Sequence, residues 1–149
     1  MTSLSKSLLV MLLCLTTAAS YAQGNAKPKV FAAMANRIEL SETTLKDAFD
    51  HNPGDMVQLN FGPGFVFNGQ ITRKEDKYNN LTQIVVKSNA YNGAMFQLSR
   101  IIDENNNVSY VGRIISEKIG DGYEIRRERG NYSFNKFDTD KVLQDCSQQ

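Results

Sequence analysis

The chain has 149 residues, of which 41% are hydrophobic, with 17 Lys and Arg against 16 Asp and Glu and a single histidine. Removal of an N-terminal export signal leaves 127 residues carrying 16 charges of each sign, enough chain for one hydrophobic core and not two. So balanced a charge excludes an electrostatic trap for nucleic acid or an anionic membrane.

Residues 1–22 have the order of a secretory signal peptide. One cation, Lys6, precedes the apolar run Leu8 to Leu15, and Ser20 and Ala22 supply small residues at −3 and −1 of a cut before Gln23. The run falls short of the roughly 20 apolar residues of a membrane span, and no later segment approaches that length. Leu12-Leu13-Cys14 is not a lipoprotein signal, because the residue before such a cysteine is small. The expected location is secreted or periplasmic. Cys146 is then the one cysteine of the mature chain, so no internal disulfide forms and stability rests on the core.

Residues 23–29 read as a mobile leader, and 30–149 as a single β-rich domain. Val30 to Leu40 is apolar without a clear period and is left unassigned. Ser41 to Asp50 predicts a short helix, with Ser41 at the cap and Leu45, Ala48 and Phe49 on one face. Asn52-Pro53-Gly54-Asp55 ends it.

From Met56 the period becomes two. Met56–Phe61 and Phe65–Thr72 alternate around the bend Gly62-Pro63-Gly64, and a charged loop is expected over residues 73–80. Further strands are expected at 81–87, 94–102, 108–115, 123–129 and 132–137, joined by turns at Asn92-Gly93, 103–107, Gly120-Asp121-Gly122 and Gly130-Asn131. Asp138-Thr139-Asp140 is expected to cap a last short helix bearing Val142, Leu143 and Cys146. The fold class is therefore mainly β: an antiparallel meander, as a sandwich or a partly open barrel, with a short helix near each end.

Catalytic chemistry has few parts. His51, the one histidine, sits in a helix-ending turn and reads as a solvated turn residue. One histidine and one mature cysteine do not build a closed zinc site, and no metal or cofactor is expected. Asp103-x-Asn105-x-Asn107 begins like a calcium loop, but Val108 replaces its glycine and Ile114 its bidentate glutamate, so an ordinary turn is expected. Asn80-Leu-Thr82, Asn107-Val-Ser109 and Asn131-Tyr-Ser133 match the N-glycosylation pattern, which acts only in a host that glycosylates exported proteins.

Two binding features remain. Tyr123, Arg127 and Arg129 share one face of a strand and, with Phe65 and Phe67, form a candidate face for a carboxylate or sugar; the alternatives are a solvated charge ladder and core aromatics. The Cys146 thiol has three readings: buried and inert, paired with another chain, or ligating a metal held by a partner.

The segments Ala94-Met-Phe-Gln-Leu-Ser-Arg100-Ile, Val108-Ser-Tyr110-Val-Gly112-Arg113-Ile-Ile-Ser116 and Gly120-Asp-Gly-Tyr123-Glu-Ile, closed by Leu143-Gln-Asp-Cys146, carry a resemblance. They are similar to the β-rich N-terminal pro-regions of secreted reprolysin-like zinc metalloproteases of Bacteroidetes, over roughly Phe65 to Cys146. The resemblance implies a non-enzymatic module that docks on a protein partner, a secreted metalloprotease being the candidate, with Cys146 as ligand to the partner's zinc. Asp145 and Ser147 stand where such switches carry Pro or Gly, and no HExxH motif occurs in the 149 residues. The other functional class left open is a periplasmic or cell-surface binding module for a small ligand or glycan.

Overall fold

The computed structural model describes residues 27–139. The signal segment, residues 23–26 and the C-terminal segment with Val142, Leu143 and Cys146 lie outside the described residues, as does the expected last helix.

Eight antiparallel strands among the described residues curl into a half-barrel. They are β1 (Arg37–Leu40), β2 (Met56–Asn60), β3 (Val66–Tyr78), β4 (Leu81–Ser88), β5 (Met95–Ile102), β6 (Val108–Ile115), β7 (Asp121–Glu128) and β8 (Asn131–Asp138). Their order is β1-β8-β7-β6-β5-β4-β3-β2, a meander from β2 to β8 to which β1 adds beside β8. This is the partly open barrel among the two expected architectures. One helix, α1 (Glu42–Asp47), and a single 3-10 turn (Ala48–Asp50) link β1 to β2. Ser41 occupies the cap position, but its hydroxyl makes no capping bond. Leu45, Ala48 and Phe49 are buried, as their spacing requires. No described helix is long and apolar enough to cross a membrane.

Alternation sets the two faces. Val57 and Leu59 of β2, Phe67 and Ile71 of β3, Ile84 and Val86 of β4, and Phe96 and Leu98 of β5 face the core, and the residues between them are mostly more exposed. Phe31, Phe65, Phe67, Phe96, Tyr123 and Phe134 are fully buried and fill the interior. Their rings meet largely edge to face: Phe61 lies 4.8 Å from Phe134 at 86°, and Phe31 lies 5.4 Å from Tyr123 at 65°. Each such ring stabilises the fold by about 1.5–3 kcal/mol through burial, with roughly 0.5–1.5 kcal/mol more per well-oriented pair.

The expected charged loop over residues 73–80 is a correction. β3 runs on to Tyr78, pairing Lys74 with Ile84, Glu75 with Gln83 and Asp76 with Thr82, so only Asn79 and Asn80 form the turn. Charges are tolerated there because the strand end is solvated and Glu75 lies between Arg73 and Lys77, 3.6 Å from each. Register shifts between Ile71 and Arg73 and between Asp76 and Tyr78 bend this long strand. Within the six-residue loop from β4 to β5, Asn92 (φ 48°) and Gly93 (φ 71°) both take the left-handed conformation at the centre of a turn closed by the Ala94 N–H to the Tyr91 carbonyl (2.8 Å).

Residues 30–40, left unassigned from sequence, form a strap and then β1. Ile38 and Leu40 pair with Phe134 and Tyr132 of β8. The strap is laced to β7 and β8 by single contacts rather than by a ladder. The Gly120 N–H donates to the Pro28 carbonyl (3.0 Å) and the Tyr123 hydroxyl to the Ala35 carbonyl (2.7 Å). Lys136 Nζ donates to the Ala32 and Met34 carbonyls. Phe31 is thereby held in one end of the half-barrel, against Phe65 and Tyr123.

Candidate functional site

The candidate ligand face does not assemble. Phe65 and Phe67 are 1% and 0% exposed, and Tyr123 is fully buried. Their alternation marks the inward face of the curl, and the glycine-rich bend Gly62–Gly64 turns Phe61 and Phe65 into the core. Arg127 lies on the inward-facing row of β7, but at its end, with its guanidinium carbon 5.4 Å from the Tyr132 ring centroid. Arg129 has left the strand. It occupies the turn before Gly130 with φ 51°, so the turn is Arg129-Gly130 rather than Gly130-Asn131. The remaining charges form ion pairs: Arg126 with Glu124 along β7, and Arg37 of β1 with Glu128 (2.8 Å).

Asp121 is a residue whose role the sequence conceals. Between two glycines it reads as a turn, yet it opens β7 at 2% exposure. Its Oδ1 accepts the Val30 N–H (2.9 Å) and its Oδ2 the Phe31 N–H (3.0 Å), so one carboxylate fixes the strap that seats Phe31.

At the opposite end of the half-barrel, the Arg100 guanidinium stacks 5.0 Å from the Phe49 ring centroid. Its Nη2 donates to Thr82 Oγ1 (3.3 Å), and that hydroxyl donates to Asp76 Oδ1 (2.7 Å). Asp76, Asn80, Thr82, Arg100 and Ile102 line a cleft of about 500 Å³ beside this chain of groups. It offers a guanidinium, a hydroxyl and a carboxylate, groups that recognise polar partners. Lys74 Nζ donates to the Phe49 and His51 backbone carbonyls, tying the 3-10 turn to β3. His51 is thus held through its main chain, half-buried in the turn.

The Asp103 turn is an ordinary one. Its carboxylate accepts the Asn105 and Asn107 N–H groups (2.8 Å each) and the Asn107 side-chain amide (2.9 Å), and these bonds hold it below the usual carboxylate range. Among the described residues no group of three His, Cys, Asp or Glu is placed to hold a metal ion.

The outer face of β3–β6 carries two adjoining rows of mostly uncharged side chains. Register places Tyr78, Leu81, Ile101 and Ser109 in one row, and Glu75, Gln83, Ser99 and Val111 in the next. Tyr78 is 73% and Val111 49% exposed, and the one charge in the two rows, Glu75, is flanked by two cations. Composition concealed this surface, because single apolar residues on outward strand positions are common; the register that aligns them is what makes a patch. Cys146, the proposed ligand to a partner's metal, lies outside the described residues. The chain matches no protein-family model, no curated protein and no solved structure.

Proposed function

We propose that this is an exported, non-enzymatic β module that docks on a protein partner, with a secreted zinc metalloprotease as the candidate and Cys146 as the ligand to its zinc. The observation that carries the docking is the uncharged outer strip Tyr78–Leu81–Ile101 with Val111, presented on a curled sheet. Protein interfaces favour such a surface, apolar at its centre with polar residues around it. The filled aromatic interior supports the same reading, since Phe65, Phe67 and Tyr123 serve the core and not a ligand.

The metal step follows from zinc chemistry. A thiolate that takes the open position of a catalytic zinc displaces the water that attacks the substrate. Titrating the mature protein into secreted zinc peptidases of the same source, and measuring peptidase activity, tests this. Inhibition that disappears with Cys146→Ser is the expected result. Equal inhibition by Cys146→Ser removes the thiol from the mechanism, and no inhibition of any peptidase removes the reading.

A further inference from the structure

A groove of about 230 Å³ crosses the outer face where β8 ends. Ile115 and Phe137 give it an apolar lining, and Lys27, Arg113 and Glu117 surround them with charge. Gly122, in register with Phe137, has no side chain: a Cβ there would stand 2.9 Å from Phe137 Cζ, so the ring lies over bare backbone.

We infer that this groove receives the segment that follows it, residues 140–149, through Val142 and Leu143. Thr139 is itself a wall of the groove, fixed by its N–H to the Gly120 carbonyl (3.0 Å) and its hydroxyl to the Ile119 carbonyl (3.1 Å). The chain therefore leaves the sheet at the groove, and Val142 and Leu143 follow three and four residues later, within about 10–14 Å even fully extended. The segment's side-chain charges, Asp140, Lys141 and Asp145, complement a rim of two cations and one anion. The other nearby segment, Gln23-Gly24-Asn25-Ala26 before Lys27, has no large apolar side chain to fill it.

Seating Val142 and Leu143 in the groove keeps Cys146, three residues beyond Leu143, near the same edge of the sheet. This holds whether or not a peptidase is the partner, and it is tested on the chain alone. In a methyl-labelled sample of residues 23–149, the Ile115 δ1 methyl is expected to show cross-relaxation peaks to methyls of Val142 or Leu143. A Val142→Asp/Leu143→Asp variant is expected to keep the core resonances and to shift Ile115. Absence of those peaks, or an Ile115 resonance unmoved in the variant, overturns the inference. So do peaks from Ile115 that arise only between labelled and unlabelled copies, or only to residues 23–26.

Discussion

Replacing Asp121 by Ala removes one carboxylate and leaves two backbone N–H groups, of Val30 and Phe31, without their acceptor. Each buried group so orphaned costs about 1–3 kcal/mol, so the expected destabilisation is roughly 2–5 kcal/mol. Asp121→Asn is intermediate, because the amide oxygen keeps one acceptor while its NH₂ faces the other donor; about 1–3 kcal/mol is expected. Urea unfolding followed by circular dichroism reads this directly. With a slope of roughly 1–3 kcal/mol per molar, a 3 kcal/mol loss moves the midpoint by about 1–3 M. Phe31→Ala alone should cost about 3–5 kcal/mol, since that ring is fully buried. The double variant Asp121→Ala/Phe31→Ala should cost much less than the sum, because a strap already released no longer seats the ring. Strict additivity, or an Asp121→Asn variant within about 0.5 kcal/mol of the parent, would refute the clamp.

Three further outcomes follow from the same packing. Burial, with the Asp121 carboxylate adding to it, pushes the Tyr123 phenol up to about 12. Above pH 10 the unfolded chain loses a proton that the native chain keeps, so stability is full below about 10 and falls by about 2–3 kcal/mol as pH rises to 12. Burial raises Tyr91 and Tyr110 as well, and they add to the fall in the same direction. Urea midpoints at pH 8 and 11 should therefore differ less in Tyr123→Phe than in the parent, and an equal difference contradicts the assignment. Gly122→Ala places a Cβ 2.4 Å from the Ile114 carbonyl oxygen and against Phe137, so a loss of about 1–3 kcal/mol is expected from thermal unfolding. Val111→Glu, on an exposed outward position, should change stability by no more than about 0.5 kcal/mol while weakening partner docking.

The strands were legible where one face is buried and the other solvated, as in β2, the first half of β3, β4 and β5, because alternation then has a physical cause. Alternation separates two faces but does not say which is inside. Tyr123, Arg127 and Arg129 therefore read as a ligand face, although the curl turns Tyr123 inward and the chain turns away at Arg129. The far end of β3 looks like a loop in sequence because both of its faces are polar, and its order comes from pairing with β4 rather than from burial. The strap was illegible for a different reason. Phe31 is buried by a clamp 90 residues away, and no local period records a contact between Val30-Phe31 and an aspartate set between two glycines. The neutral strip is likewise a product of register across four strands, which a linear reading does not align.

The docking claim is tested most directly by the dissociation constant of the mature protein with a secreted zinc metalloprotease of the same source, measured by titration calorimetry for the parent and for Val111→Glu. A saturable complex, weakened tenfold or more (about 1.4 kcal/mol) by a glutamate set in the neutral strip, is the predicted result. No complex with any such peptidase, or equal affinity in the variant, contradicts it.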